Sequence, residues 1–309
     1  MSKTKPTDLA ASVRQRLTNL ARVRQEDFQL VLTRYATERF LYRLSRSKHA
    51  GNFVLKGAML FQIWNKAPHR PTRDLDLLAT GEPSIEGFEE MHREVFQESV
   101  EADGLNFDAA SIRGEQIKEE DEYQGIRIRG IAKLANIRIP LQVDVGFGDA
   151  VTPRPLKIEF PTLLEFPAPT LLAYNRETVV AEKFQAMVVL GIANSRMKDF
   201  FDIWSLARDF EFDGSSLACA IAATFKRRAT ALPGETPLAL RPEFSADAGK
   251  QMQWKAFLRK GGLVEGGASL ANVQALLRDF LVPILAALRS EASVPQRWPA
   301  AGPWQLGPN

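Results

Sequence analysis

Two aspartates, Asp74 and Asp76, stand two residues apart among leucines, and this aspartate pair constrains the chain more than any other feature. Side chains along a strand alternate between its faces, so the pair shares one face while Leu75 and Leu77 share the other. Aspartate is depleted in strands, and two like charges this close repel unless a cation relieves them. Converging carboxylates suit Mg²⁺, although the wet face of an edge strand would also accept them.

A short apolar stretch that ends at Leu55 precedes Gly57, and the pattern predicts a strand that turns into a helix. Glycine at such a corner lets a phosphate group approach the backbone N–H groups at a helix N-terminus. A tight strand–helix turn would require glycine for its own geometry, so both interpretations stay open.

A later alternating stretch carries a third acid, Asp144, between Val143 and Val145. If this strand neighbours the strand of the aspartate pair, three carboxylates gather at one place and suit one or two Mg²⁺ ions and phosphoryl-transfer chemistry. The alternative is that Asp144 caps a turn at residues 146–148.

Two further groups of charged residues lie in predicted helices. Lys183 falls inside an apolar stripe with Val180 and Phe184, so its ammonium must either extend to solvent or meet a buried anion such as a nucleoside triphosphate. Asp199 and Asp202, spaced by three residues, share one helix face. The helix dipole also favours Asp199 near the start of its helix.

Composition bounds the class of protein. The chain has 309 residues and one cysteine, which excludes an internal disulfide framework and fits a reducing compartment, so we expect a cytoplasmic protein. We expect no signal peptide, because the first residues lack a charged segment followed by an apolar one. The apolar run Phe280–Leu288 is too short to span a bilayer. We therefore expect no membrane partner.

Charge is distributed unevenly along the chain. Residues 1–50 hold eleven Lys and Arg against four Asp and Glu, or +7, and residues 82–122 hold three against fourteen, or −11. A basic N-terminal segment favours contact with nucleic acid, and a solvated helix surface explains it equally well. The candidate phosphate contacts are Arg14, Arg16, Arg22, Arg24, Arg34, Arg39, Arg43 and Arg46.

With these residues placed, the sequence resembles the AbiEii/AbiGii toxin family of nucleotidyltransferases, in the DNA-polymerase-β-like superfamily, over roughly residues 50–210. Several relatives act as the toxin of a toxin–antitoxin or phage-abortive-infection pair. The motifs that carry the resemblance are Leu55–Gly57, Arg73–Leu77, Asn175–Lys183 and Arg196–Asp202. The chain departs from the family after Gly57, where Ala58 and Met59 replace a second Gly or Ser and a hydroxyl residue.

The resemblance implies transfer of a nucleoside monophosphate from an NTP to an acceptor hydroxyl, with the tRNA 3′ end as acceptor and a cognate antitoxin as protein partner. The catalytic residues that it implies are Asp74, Asp76, Asp144, Lys183 and Asp199, with Asp74, Asp76 and Asp144 as Mg²⁺ ligands. The nucleotide contacts that it implies are Lys56, Gly57, Arg73, Lys183 and Asp202. Alternatives are an inactive module that binds a nucleotide or a partner, and a transferase that acts on a small molecule or a protein.

The predicted fold class is α+β, a nucleotidyltransferase-type mixed β-sheet flanked by helices and followed by a mainly helical C-terminal domain. The predicted divisions are basic N-terminal helices at 1–50, a nucleotidyltransferase core at 51–152, a proline-rich connection at 153–174, a helical domain at 175–292 and an irregular tail at 293–309.

Overall fold

The computed structural model of the chain describes residues 8–65, 70, 72, 74–118, 124–263, 269–290 and 293–305. The chain divides into two compact units. The first comprises Met1–Gly148 with Leu156–Ala173, and the second comprises Asp149–Pro155 with Tyr174–Asn309. The predicted α+β class, a mixed sheet flanked by helices with a helical C-terminal region, is confirmed.

The first unit opens with two helices, α1 (Leu9–Arg24) and α2 (Phe28–Arg46). Each is preceded by an aspartate, Asp8 or Asp27, whose carboxylate accepts hydrogen bonds from backbone N–H groups of the first turn. Such caps satisfy donors that the helix itself leaves unpaired. The chain leaves α1 at Gln25, which has a left-handed φ of 54°.

Helix α2 buries two of the arginines that make the N-terminal segment basic in composition. Arg39 and Arg43 are 1% and 6% exposed. Nη1 of Arg43 donates to Asp103 at 2.6 Å, and Nη2 of Arg39 donates to the carbonyl of Pro167 at 2.7 Å. The prediction that both arginines contact nucleic acid is therefore wrong, because they serve the interior of the first unit.

Seven strands form the sheet of the first unit, in the order β3-β4-β5-β2-β1-β7-β6. The strands β2 and β5 run parallel, as do β1 and β7, and the other neighbours are antiparallel. The strand bounds are β1 Phe53–Lys56, β2 Leu75–Ala79, β3 Leu105–Lys118, β4 Gln124–Leu134, β5 Ile137–Phe147, β6 Leu156–Glu159 and β7 Thr170–Ala173.

One face of the central strands is apolar, and helices cover it. Leu77 and Val145 lie on this face and are fully buried. Helix α4 (Ile85–Phe96) packs here, with the ring of Phe88 5.2 Å from that of Phe147. Because alternate side chains point to opposite faces, the acids of β2 and β5 point away from this core.

The proline-rich connection differs from the prediction of an extended link without regular structure. Leu156–Glu159 and Thr170–Ala173 pair as antiparallel strands at one edge of the sheet. Its prolines lie before or between these strands, at positions 153, 155, 161, 167 and 169, so none interrupts the ladder.

The second unit is mainly helical. It contains α5 (Arg176–Leu190), α6 (Met197–Asp209), α7 (Gly214–Arg227), α8 (Pro242–Ala246), α9 (Ala248–Lys260) and α10 (Leu270–Ser290), and the one-turn α3 (Phe61–Trp64) belongs to the first unit. The expected irregular tail contains a short strand, β9 (Arg297–Trp298), which pairs with β8 (Phe212–Asp213). Trp298 anchors it, because its buried ring donates a 2.7 Å hydrogen bond to the carbonyl of Ala207.

Helix α10 is longer than its most apolar run suggests. By length and composition the 21-residue helix could cross a membrane. Half of its most apolar window is buried inside the protein, and it packs against α6, α7 and α8. A core helix has these properties, so α10 gives no argument for a membrane protein.

Candidate active site

Strand register places four charged residues in one row across the sheet. Lys56 on β1 pairs with Asp76 on β2, Asp76 pairs with Asp144 on β5, and Asp144 pairs with Arg127 on β4. Paired residues on adjacent strands point to the same face. The strand of Asp144 therefore neighbours the strand of the aspartate pair, as the sequence analysis required for the acids to come together. In this row the carboxylates of Asp76 and Asp144 lie between the cationic residues Lys56 and Arg127.

Gly57 lies directly against the Asp76 carboxylate. Its φ is 74°, a left-handed value that favours glycine, and a Cβ added there would overlap Oδ2 of Asp76. The helical segment predicted after Gly57 is present and short. Gly57–Leu60 is a 3₁₀ turn, α3 adds one turn, and the backbone is extended at Asn65. The local backbone conformation and the contact with Asp76 thus both require glycine at this position.

The aspartate pair lies at the start of β2. Asp74 immediately precedes the strand and is exposed, and Asp76 is half-buried inside it. The Gln142 amide lies between Asp74 and the third acid, because its Nε2 is 3.5 Å from Oδ1 of Asp74 and 3.5 Å from Oδ2 of Asp144. Arg73, a predicted nucleotide contact, lies outside the described residues.

Asp144 is held at two points by Arg127, a residue that the sequence analysis did not select. Nε of Arg127 donates to Oδ1 and Nη2 donates to Oδ2, each at 2.7 Å. This pairing raises the pKa of Arg127. Asp144 does not cap a turn, because β5 continues to Phe147 and both carboxylate oxygens face the guanidinium.

Two acids at this end of the sheet, Asp74 and Asp76, are the residues that would hold a cation. Asp74 and Asp76 offer carboxylate oxygens, the ligands that Mg²⁺ prefers, and the missing Cβ of Gly57 lets the Asp76 carboxylate lie directly against the backbone. Both oxygens of Asp144 already accept from Arg127. Across the part of the chain that the structure describes, no group of three or more His, Cys, Asp or Glu is arranged to hold a metal. The assignment of Asp144 as a ligand stays a prediction.

The other predicted site residues form a separate cluster in the second unit. Nζ of Lys183 on α5 lies 2.6 Å from Oδ1 of Asp199 and 2.9 Å from Oδ2 of Asp202, both on α6. Both aspartates are fully buried. Nε of Arg196 lies 2.7 Å from the second oxygen of Asp199. These four side chains carry two positive and two negative charges.

This cluster decides between the two interpretations of Lys183. The side chain is 14% exposed and meets buried anions, which are carboxylates of the protein. Asp199 also lies in the first turn of α6, where the helix dipole favours an acid, so both explanations of Asp199 apply. Contact of Lys183, Asp199 and Asp202 with a nucleotide stays a prediction.

The chain matches one family of known proteins over most of its length. The family model described as "Nucleotidyl transferase AbiEii toxin, Type IV TA system" matches residues 39–276, well over half of the chain. No curated protein matches.

Two solved structures share the fold. One is a candidate nucleotidyltransferase from H. pylori, at 15% identity and a TM-score of 0.51, covering 86% of this chain and 99% of that one. The other is JHP933 from Helicobacter pylori, at 16% identity and a TM-score of 0.50, covering 86% and 95%. Such low identity shows the fold alone. The family match extends over the sheet, the acid row and the Lys183 cluster, and the chain belongs to the AbiEii family of nucleotidyltransferase toxins.

Proposed function

We propose that this chain transfers a nucleoside monophosphate from an NTP to the 3′ end of tRNA in a Mg²⁺-dependent reaction, and that it is the cytoplasmic toxin of a toxin–antitoxin pair. The observation that carries the proposal is the position of Asp76, which pairs with Lys56 across the strands and lies directly against Gly57. It joins the two motifs that the family shares, the glycine turn and the aspartate pair, at one point of the sheet.

The reaction needs charge to be neutralised at a phosphate. The acceptor oxygen attacks the α-phosphorus of the NTP, and the bond to the pyrophosphate leaving group breaks. A Mg²⁺ ion held there would supply charge neutralisation on the phosphate oxygens and would lower the pKa of the attacking hydroxyl. Asp74 and Asp76 would hold that ion. Gly57 lets the Asp76 carboxylate lie directly against the backbone, which fixes the position of that acid.

The second unit would supply nucleotide contacts. Lys183 carries an ammonium and Asp202 lies 2.9 Å from it, so the pair can orient a group that binds to Lys183. Asp199 holds the same ammonium at 2.6 Å. We assign the three residues to the nucleotide on the strength of the family motif.

Enzyme assay tests the proposal directly. The purified chain is incubated with each labelled NTP, Mg²⁺ and total tRNA, and labelled RNA is counted. Asp76→Asn should lower the rate by roughly a thousandfold, since lost stabilisation of several kcal/mol has that effect. Near-normal transfer by both Asp74→Asn and Asp76→Asn would show that the metal assignment is wrong. Label that appears only on a small molecule or a protein would support the alternative acceptors.

The acceptor should bind through α1. Arg14, Arg22 and Arg24 of this helix are exposed. Phosphate contacts release counterions, so RNA affinity should fall steeply with salt, by about one log unit of slope per phosphate neutralised. An acidic antitoxin is the competing partner for the same surface.

A charge-reversal variant separates these partners. Arg14, Arg22 and Arg24 are changed together to glutamate, and filter binding to tRNA is measured from low to high salt. We expect weaker binding and a flatter salt slope with unchanged NTP affinity. The matched control instead changes three exposed basic residues of α9 to glutamate, Lys255, Arg259 and Lys260. This control should bind tRNA as the wild type does. A flat salt dependence in the wild type would remove RNA from the proposal.

A further inference from the structure

We infer that Arg127 takes the place of a metal ion at Asp144, so that the site binds one divalent cation, on Asp74 and Asp76. The inference rests on the proposed function. It differs from the three-carboxylate arrangement that the sequence predicts, and it makes Arg127 a positioning residue for the reaction.

The geometry of the ion pair is the first argument. Two parallel 2.7 Å hydrogen bonds join Nε and Nη2 of Arg127 to the two oxygens of Asp144. Such fork-to-fork pairs are among the strongest and most directional in proteins. The side chains are 28% and 13% exposed, so solvent screens them only in part.

The backbone holds both partners of this pair in place. Arg127 and Asp144 are directly paired residues of a continuous hairpin, with Ile126 and Ile128 buried on either side of the arginine. A divalent cation bound to Asp144 would lie beside the guanidinium and be repelled by it. A metal ion could bind there only if the Arg127 side chain moved away. The strand pairing and the buried neighbours of Arg127 hold it where it is.

Gln142 supplies the second argument. Its Nε2 lies 3.5 Å from Oδ1 of Asp74 and 3.5 Å from Oδ2 of Asp144. An N–H donor therefore lies between Asp74 and Asp144 and faces both carboxylates. Asp144 thus faces donors from β4 and from its own strand, whereas Asp74 is exposed to solvent.

Counting bound Mn²⁺ tests the inference. Mn²⁺ replaces Mg²⁺ as a spectroscopic probe, and its binding to the full chain is followed by electron paramagnetic resonance and calorimetry, with a non-hydrolysable NTP analogue present. We expect one bound Mn²⁺ in the wild type. Asp144→Asn should keep that ion with its affinity unchanged within about threefold, and Asp76→Asn should lose it.

Arg127→Gln gives the complementary result. Freed from the guanidinium, Asp144 should gain a second Mn²⁺, or bind it at least tenfold more tightly than the wild type does. If either single variant unfolds, the double variant Arg127→Gln with Asp144→Asn removes both charges together and should again bind one ion.

The outcomes separate this inference from the proposed function. Two ions in the wild type with one lost in Asp144→Asn would overturn the inference and leave the transferase proposal intact. Failure of Arg127→Gln to change Mn²⁺ binding would overturn the role of Arg127. No bound Mn²⁺ in the wild type would overturn both proposals.

Discussion

Replacement of Lys183 by alanine should destabilise the second unit by several kcal/mol. Its Nζ lies 2.6 Å from Asp199 and 2.9 Å from Asp202, and both carboxylates are fully buried. Without Lys183, these carboxylates and Arg196 carry two negative charges and one positive charge. Breaking a buried ion pair on one side typically costs about 3–5 kcal/mol, because the remaining charge stays in a poorly solvated place.

Proton uptake sets an upper limit to this loss. One carboxylate can neutralise the excess charge by binding a proton, which for an ordinary aspartate costs about 4 kcal/mol at pH 7. That cost falls by about 1.4 kcal/mol per pH unit, to about 1.5 kcal/mol at pH 5. The folded variant then binds one proton more than the unfolded chain, so its stability must fall as the pH rises.

Urea denaturation at several pH values between 5 and 8 measures this effect. Four of the five tryptophans report on the second unit: Trp204, Trp254, Trp298 and Trp304. Lys183→Met keeps most of the side-chain volume and should lose as much as Lys183→Ala at pH 7. Adding Asp202→Asn to Lys183→Met restores the charge balance and should recover most of the loss. A loss below about 1 kcal/mol at pH 7, or one that does not change with pH, would refute the reasoning.

Two other substitutions probe the first unit. Gly57→Ala should destabilise this unit by about 1–3 kcal/mol, because the positive φ is strained for alanine and the added Cβ overlaps Asp76. The same change should abolish transfer. In the control Gly51→Ala no atom lies within 4 Å of the added Cβ, so the thermal midpoint should shift little. Burial lowers the pKa of His92 to about 4, so the stability it contributes is complete above pH 6.5 and is lost as the pH falls towards 4. His92→Phe should remove about 3 kcal/mol of that acid-side loss in urea titrations, and an unchanged pH profile would contradict this.

Local patterns predicted the elements whose burial alternates regularly. The strand of the aspartate pair and that of Asp144 follow from apolar residues at every second position, and these became β2 and β5. Strand β6 has no such pattern, because its residues lie at an exposed edge of the sheet. The role of Arg43 was equally hidden, since its partner Asp103 lies 60 residues away and composition cannot distinguish a paired arginine from an exposed one.

The partner of Asp144 was beyond prediction for a different reason. The register of the β4–β5 hairpin is set by its two-residue turn, where Leu134 pairs with Ile137, and every pair along the hairpin follows from that one. An Asn-Gly pair in the sequence would have predicted such a two-residue turn. Here Ala135 adopts the left-handed φ of 51°, which alanine rarely does, so the sequence did not indicate the turn. A slip of one residue would have set an isoleucine beside Asp144 and turned the apolar face of β4 outwards. Burial of that face therefore favours the register that the turn sets, and this register places Arg127 beside the third acid. The contact between Arg127 and Asp144 thus depends on a turn that contributes no functional group.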